Sequence, residues 1–539
     1  MARPLSTKKS DGDLFTDVAS ADFLEFKFGD STYQKQLDEA VKKSGDFCAI
    51  TCRELDLDGV RVMHIEHNWD FLGGSLGCAE GERITRGFEH ATAKRLPVVV
   101  SCKTGGARMQ EGALSLMQMA KVSVAVDAHR RAGVPFVSVL EDPTYGGVSA
   151  SYSMQADVRI GVANARIGFA GPGVILNTMF EQNQAAFDLA CPPIFQSAEY
   201  VLANGGLDIV VEQKAKVGPF GEQVGATIAQ VLAVLAAAPN GEVLAAKAAT
   251  AEEAAAPPDY TKSRKIERPH AQDIMRSVFD GFVELKGDGK TETDSCIKGG
   301  LARIGGWRCV VLGTTKGHTP KDMQDANFGM PSPAGYRTAL RLFGLAERFG
   351  LPVVTLVDTV GAWPSFVADA AGQSEAIATN LTAMAGLTVP IVTVVIGEGG
   401  SGGALGIAMG NRIGMASQAY YGVISPEGAA SILGKYKNDA HKATQFPIDC
   451  RELATGQQIY AKQLQALGAI DEVLIEGSEA HDDFPAFASR LANFVTRSIA
   501  ELAAMSPEGL VADRCASALS PPPCRPRSCG RFVRMRNEP

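Results

Sequence analysis

Two long stretches of the chain repeat one pattern: a β-branched apolar run, a Gly-rich turn, then an amphipathic segment long enough for a helix. In the first half, LPVVVSCKTGGARMQEGALSLMQMAKVSVAV predicts a strand over 97–102, a turn over 103–107 and a helix from about 108. PFVSVLEDPTYGGVSASYSMQA and VRIGVANARIGFAGPGVI follow in the same manner. In the second half, LPVVTLVDTVGAW reads as strand then turn and QSEAIATNLTAMAGL as a helix, before PIVTVVIGEGGSGGALGIAMG and YYGVISPEGAASILG repeat the scheme. Alternation of strand and helix is an α/β pattern. Gly106 in TGGAR and Gly403 in SGGAL are read as occupying matching places, so the chain is a tandem of two homologous domains.

The composition shift at LAAAPNGEVLAAKAATAEEAAAPPDYTK, rich in Ala, Glu and Pro, marks a linker over 236–262. Residues 1–25 read as an N-terminal tail, 26–235 and 263–504 as the two domains, and 505–539, which end in SPPPCRPRSCGRFVRMRNEP, as a disordered tail. At 539 residues with 45% hydrophobic side chains the chain can bury two cores, and a net charge of -8 argues against a general nucleic-acid binder. No apolar run is long enough for a membrane span and the start lacks a hydrophobic signal core, so a cytoplasmic location is expected, with an organelle left open. The 11 Cys lie in apolar segments, and the Cys48–Cys52 pair has no second pair nearby, so reduced structural thiols and no structural metal are expected.

A strand that ends in Gly-Gly and enters a helix presents backbone N–H groups where the helix dipole favours negative charge. That geometry makes an oxyanion hole, and glycine lets a substrate oxygen approach the backbone closely. Gly105 and Gly106 are nominated for one hole, Gly402 and Gly403 for a second. The bland alternative is that these glycines only permit tight turns and close packing. Two such sites suit a reaction that develops charge on one oxygen of each of two partners. The sequence has no GxxxxGK[ST] loop, no GxSxG elbow and no HExxH helix, so chemistry carried by backbone donors fits. Arg108 is a candidate contact for an anionic substrate or an exposed first-turn residue, and Asp358 is read as a helix cap rather than a catalytic group. His64, His67 and His318 are read as surface or satisfied structural residues, and the Met of LMQMA as core.

Several segments resemble the carboxyltransferase of the bacterial and plastid type of acetyl-CoA carboxylase. FLGGSLG (71–77), TGGARMQEGALSLMQMAK (104–121), DPTYGGVSASYSMQAD (142–157) and IGFAGPGVI (167–175) resemble its β subunit. NFGMPSPAGYRTALRLFGLAERFGLPVVTLVDTVGAW (327–363), GQSEAIATNL (372–381), IGEGGSGGALGIAMGN (396–411) and VISPEGAASIL (423–433) resemble its α subunit. The resemblance implies tandem crotonase-like domains, each a ββα spiral, with the active site where a β-like and an α-like domain meet. It implies transfer of the carboxyl group from N1 of carboxybiotin to the methyl carbon of acetyl-CoA, giving malonyl-CoA for fatty acid synthesis. Carboxybiotin is thought to release CO2 in the site, the biotin enolate takes the methyl proton, and the thioester enolate captures CO2. On that reading Gly105 and Gly106 hold the thioester oxygen and Gly402 and Gly403 the ureido oxygen, while Gly146, Gly147, Phe169, Ala170, Gly171 and Pro172 shape the acyl-CoA pocket.

The chain departs from the family in places. The four-Cys zinc ribbon common before the β-type domain is absent, DTVGAWPSFVADAAGQ replaces a family segment that usually reads DTPGAYPG, and KYKNDAHKATQFPIDCREL (435–453) looks longer than its counterpart. With no biotinyl motif and no ATP-grasp region, the expected partners are a biotin carboxylase and a biotin carboxyl carrier protein. No cofactor is expected to be covalently bound, and a homo-oligomer is expected. Rival readings are a carboxyltransferase for propionyl-CoA or a longer acyl-CoA, a malonate or glutaconyl-CoA type decarboxylase subunit, and a scaffold without activity.

Overall fold

The computed structural model describes residues 12–28, 31–213, 220–236, 258–434, 436–477 and 479–519. Most of the expected linker, 237–257, and the ends 1–11 and 520–539 lie outside the described residues. The chain divides into two compact units, Met1–Pro239 with Glu284–Thr293, and Asn240–Val283 with Asp294–Pro539. The central parallel strands of each sheet carry near-continuous apolar runs, such as VVVSC and IVTVVIG, as strands buried on both faces require.

The first unit holds one sheet in the order β1 (Ile50–Leu57), β2 (Val60–His67), β3 (Val98–Thr104), β4 (Phe136–Thr144), β5 (Val158–Val162) and β6 (Ile209–Val211). β1 and β2 form an antiparallel hairpin and every later pair is parallel. The hairpin turns at Asp58 and Gly59, with φ of 51° and 84°, because Asp-Gly tolerates the two left-handed residues that a type I′ turn needs. Helices α1 (Cys78–Lys94) and α2 (Gly112–Arg131) join β2 to β3 and β3 to β4. α2 starts later than the sequence predicts, after a three-residue 3₁₀ turn at Met109–Glu111. Met117 is 63% exposed, against the expectation that the LMQMA methionines are core, whereas Met119 packs on the core.

The second unit repeats this plan. Its sheet runs β7 (Asp280–Glu284), β8 (Ile297–Ile304), β9 (Trp307–Thr314), β10 (Val353–Thr359), β11 (Ile391–Gly400), β12 (Arg412–Ala416), with β14 (Glu472–Leu474) beyond β12 and β13 (Tyr420–Gly422) pairing β11. β8 and β9 again form a hairpin, turning at Gly305 and Gly306 with φ of 54° and 84°. Helices α5 (Pro333–Phe349) and α6 (Gln373–Gly386) take the places of α1 and α2; the α3 and α4 labels belong to two short helices of the first unit, Gly146–Ser149 and Pro172–Met179.

Both expected tails are shorter than composition suggests. Leu14, Phe15 and Val18 pack against the first core, Leu14 N–H donates to Cys52 O at 2.8 Å, and the Asp13 carboxylate meets Arg83 at 3.3 Å. The segment after the linker also returns to the first unit, where Lys286 N–H donates to Asp208 O at 3.0 Å and Thr293 N–H to Ala203 O at 3.2 Å. The long segment around 435–453 forms much of a helix at Asp439–Gly456, and its Cys450 and Ala454 bury against Ala430 and Tyr420.

At the other end Pro507–Leu519 is helical, where disorder from about 505 was expected. The cause is Arg514, fully buried and donating to Met384 O (2.6 Å), Leu387 O (2.8 Å), Val389 O (2.9 Å) and Asn411 Oδ1 (2.8 Å). These acceptors include carbonyls at the C-terminal end of α6, which lack intrahelical donors. Burial pulls the guanidinium pKa down to about 10. Each such charged hydrogen bond contributes about 1.5–3 kcal/mol, and loss of the side chain leaves the carbonyls unsatisfied. Arg514→Ala is therefore expected to lower the unfolding temperature by several degrees in scanning calorimetry; an unchanged transition would show that this helix does not brace the second unit.

Candidate active site

In the first unit β3 ends at Thr104 and the chain turns through Gly105 and Gly106. Gly105 N–H donates to Gly73 O at 2.9 Å, and Gly106 N–H donates to Thr104 Oγ1 at 3.0 Å. Neither N–H is left for a substrate, which corrects the expectation that these two are the donors. The next residue is different. Leu76 N–H donates to Gly106 O at 2.8 Å and Arg108 N–H to Leu76 O at 2.9 Å, a parallel bridge that turns the Ala107 N–H the other way. Ala107 N–H has no hydrogen-bond partner among the described residues.

Beside this loop starts the short helix α3 (Gly146–Ser149). Gly146 N–H donates to Phe169 O at 2.8 Å, while Gly147 N–H, in the first turn, has no partner among the described residues. The approach of loop and helix is tight. Gly106 sits at φ 110°, and a Cβ there would lie 3.0 Å from Gly146 Cα and 3.3 Å from Gly147 N. Gly106 is thus required by conformation and by space, and its neighbours Ala107 and Gly147 carry the unpaired donors.

The second unit reproduces this arrangement at positions other than those expected. β10 ends at Thr359, whose Oγ1 accepts the Gly361 N–H at 3.1 Å, as Thr104 does for Gly106. Trp363 N–H donates to Pro331 O at 3.0 Å, and the Ala362 N–H between has no partner among the described residues. The short helix α7 (Ser401–Leu405) starts beside it. Ser401 holds φ 59°, matching φ 64° at Gly146, so Gly402 stands where Gly147 does. Gly402 N–H likewise has no partner among the described residues. Gly403 is buried, and a Cβ on it would lie 2.2 Å from Ala362 N. The counterpart of Gly106 is therefore Gly361, not Gly403.

The signal for the missed residues was in the sequence: Thr104-Gly-Gly-Ala107 and Thr359-Val-Gly-Ala362 share Thr-x-Gly-Ala at the end of matching strands. Both strand ends also carry the same irregularity. Cys102 pairs Leu140 and Thr104 pairs Thr144, while Val357 pairs Val395 and Thr359 pairs Gly399, so β4 and β11 each advance four residues against two. This bulge tilts each strand end away from its ladder.

The remaining nominated residues border the first site or support it. Phe169 is 73% exposed and gives its carbonyl to Gly146, Ala170 O accepts from Gln196 Nε2 at 2.7 Å, a Cβ on Gly171 would lie 3.7 Å from the Tyr145 ring, and Pro172 begins α4 (Pro172–Met179). Arg108 is neither exposed nor available to an anion. It is 1% exposed, and its guanidinium reaches Glu80 Oε1 (2.7 Å), Glu111 Oε1 (3.2 Å), Ser75 O (2.8 Å) and Tyr33 OH (3.1 Å). Asp358 does not cap a helix. Its buried carboxylate meets Lys316 Nζ at 2.6 Å and His270 Nδ1 at 3.2 Å, and the lysine's charge holds its pKa far below the carboxylate range against the opposing effect of burial. His64 and His67 are buried and bonded to Ser101 Oγ (3.0 Å) and Tyr152 OH (2.6 Å), and His318 is bonded to Asp273 (2.8 Å).

Two crotonase-like α/β units, tandem in one chain, are the fold of the carboxyltransferase class. The fold is shared with the transcarboxylase 12S structure described as a hexamer assembly with hydrolysed methylmalonyl-coenzyme A bound, at a TM-score of 0.67 and 19% identity, covering 84% of this chain and 82% of that one. The family described as acetyl co-enzyme A carboxylase carboxyltransferase-like matches residues 246–520, and the carboxyl transferase domain matches 49–197. The acetyl-coenzyme A carboxylase carboxyl transferase subunits beta/alpha of Saccharopolyspora erythraea are 40% identical over 92% of this chain and 84% of their own length. Those of Salinispora tropica are 43% identical over 84% of this chain and 78% of theirs. The chain belongs to this family in its fused beta/alpha form, and it is an enzyme, a biotin-dependent carboxyltransferase. No helix among the described residues is long and apolar enough to cross a membrane.

Arg108 and its carboxylates anchor the loop that carries Ala107. Burial opposes the charge on Glu80, but the Arg108 charge and the Ala49 N–H hold its carboxyl below the usual value of 4.5. A depressed carboxylate adds stability above its unfolded pKa and loses it as pH falls. Arg108→Met leaves two buried carboxylates unpaired, which costs about 3–5 kcal/mol. It is expected to lower the denaturation midpoint strongly near neutral pH and less in acid, where Glu80 takes up a proton; an exposed substrate contact would instead raise KM and leave the midpoint unchanged.

Proposed function

We propose that the chain is the carboxyltransferase of an acetyl-CoA carboxylase, moving the carboxyl group of carboxybiotin on a carrier protein to acetyl-CoA and so supplying malonyl-CoA for fatty acid synthesis. The observation that carries this reading is the matched pair of donor sets, Ala107 with Gly147 and Ala362 with Gly402. The reaction breaks the N–C bond of carboxybiotin, forms a C–C bond at the acetyl methyl carbon, and moves the methyl proton to the ureido nitrogen. Negative charge then grows on two oxygens, the thioester oxygen and the ureido oxygen.

Ala107 and Gly147 serve the thioester oxygen, Ala362 and Gly402 the ureido oxygen. Gly105, Gly106 and Gly403 act by permitting the close approach of loop and helix, and Phe169, Ala170, Gly171 and Pro172 line the acyl-CoA side. Removal of one oxyanion-hole donor typically costs about a hundredfold to a thousandfold in rate. Biotin carboxylase and a biotin carboxyl carrier protein supply the carboxybiotin; the relatives' names, acetyl-coenzyme A carboxylase carboxyl transferase, support a setting within that carboxylase. A homo-oligomer covers apolar side chains such as Phe366 (96% exposed) and Leu189 (90% exposed).

The test is malonyl-CoA-dependent carboxylation of free biotin, the reverse reaction. Gly106→Ala and Gly403→Ala, which force a Cβ against the backbone of the partnering element, are each expected to lower kcat at least about a hundredfold with folding intact. Full activity in both variants would overturn the two-donor reading. Faster turnover of methylmalonyl-CoA than of malonyl-CoA would move the substrate to propionyl-CoA, and wild type inactive on both would overturn carboxyl transfer to a short acyl-CoA.

A further inference from the structure

The bulge at the end of β10 leaves a gap in the ladder with β11, and a buried cluster of charges fills it. Asp358 stands at the gap, between the paired residues Val357 and Thr359, and its Oδ1 accepts the Glu398 N–H at 2.8 Å in place of a strand carbonyl. The Asp358 N–H in turn donates to Thr314 Oγ1 at 2.6 Å. Lys316 Nζ then ties the two strand ends together, 2.6 Å from Asp358 Oδ1 and 2.7 Å from Glu398 Oε2. Arg264 Nε (2.6 Å) and Tyr420 OH (3.1 Å) meet the other oxygen of Glu398, and His270 meets the other oxygen of Asp358. A Cβ at Gly397 would lie 2.3 Å from Asp358 Oδ1, so the strand is kept bare where the carboxylate enters.

Each of the two strand ends runs within a few residues into one donor: Asp358 is followed by Thr359 and the loop to Ala362, Glu398 by the turn into Gly402. The first unit closes the same bulge without charge. There Thr144 Oγ1 donates to Cys102 O and Glu141 O, each at 2.8 Å, and Gly399, which pairs with Thr359 as Thr144 pairs with Thr104, has no hydroxyl for that task.

We propose that Lys316 is a positioning residue for the second donor pair, holding Ala362 and Gly402 at a fixed separation through Asp358 and Glu398. The inference rests on the two-donor reading above. Lys316 touches neither donor. Its ammonium bridges the two carboxylates across the bulge, whereas Arg264 meets Glu398 but not Asp358, and separation of the strand ends separates the two N–H groups. A displacement of about 1 Å in a positioned group costs on the order of a hundredfold in rate.

The experiment compares Lys316→Met, Lys316→Arg and Gly403→Ala in the full chain, by reverse carboxylation of biotin and by thermal unfolding. Lys316→Met is expected to lose about tenfold to a hundredfold in kcat per folded chain while KM for malonyl-CoA stays within twofold, and Lys316→Arg to recover most of the kcat. A role confined to stability lowers the unfolding temperature and leaves kcat per folded chain unchanged. Lys316→Met with wild-type kcat beside an inactive Gly403→Ala overturns the positioning role and leaves the two-donor reading standing; an active Gly403→Ala overturns the two-donor reading, and the positioning role with it. If Lys316→Met does not fold, Glu398→Gln, of nearly the same shape, decides: a kcat within twofold of wild type overturns the proposal and a tenfold loss supports it.

Discussion

A backbone N–H can act on a substrate only if the sheet around it does not claim it. Buried strands pair nearly every N–H and C=O, and leaving one unpaired costs about 1–3 kcal/mol. Both units meet this constraint in the same way. The ladder is broken at a strand end by a two-residue excess on the neighbouring strand, the loop beyond is pinned by residues that do not themselves donate to the site, and a helix begins alongside. Gly105 and Gly106 illustrate the division: their own N–H groups are bonded within the protein, and that bonding fixes the Ala107 N–H in its outward direction.

The duplicated plan is kept while the bracing differs. In the first unit the loop is tied down by the buried Arg108 guanidinium and its two carboxylates, and the bulge is closed by the Thr144 hydroxyl. In the second, Tyr336 OH bonds Gly403 O at 2.9 Å, Asn380 bonds Gly406 O at 3.1 Å, and the bulge is closed by Lys316 with Asp358 and Glu398. Such bracing tolerates replacement because what it must deliver is a distance between two backbone groups. The donors themselves carry no side-chain identity that selection could read as chemistry.

That difference explains what was legible in the sequence. The α/β class, the tandem repeat and the Gly-rich strand ends followed from apolar runs and turn residues, whose physics is local. The pairing of Gly106 with Gly403 did not survive, because TGGAR and SGGAL look alike as strings while the match is set by which strand each follows. Strand pairing within each unit makes Gly361 the counterpart of Gly106, and Gly402 the counterpart of Gly147. Arg108 and Asp358 were misread for a related reason. A charged residue beside a glycine turn suggests solvent or a cap, and only the tertiary partners, Glu80 and Glu111 for one and Lys316 for the other, make burial tolerable. The helix at Pro507–Leu519 was hidden because its anchor, Arg514, satisfies carbonyls more than a hundred residues away in sequence.

The residue before each helix donor separates the two sites in shape. At position 146 only glycine serves: φ is 64° and a Cβ would lie 2.9 Å from Gly106 Cα. At position 401 a serine holds φ 59°, at a backbone cost of roughly 1–2 kcal/mol for a residue with a Cβ. It can do so because a Cβ on Gly361 would still lie 3.9 Å from Ser401 Cβ; loop and helix meet most closely two residues on, where a Cβ on Gly403 would lie 2.2 Å from Ala362 N. The closest approach of loop and helix therefore falls at Gly106 and Gly146 in the first unit and at Gly403 and Ala362 in the second.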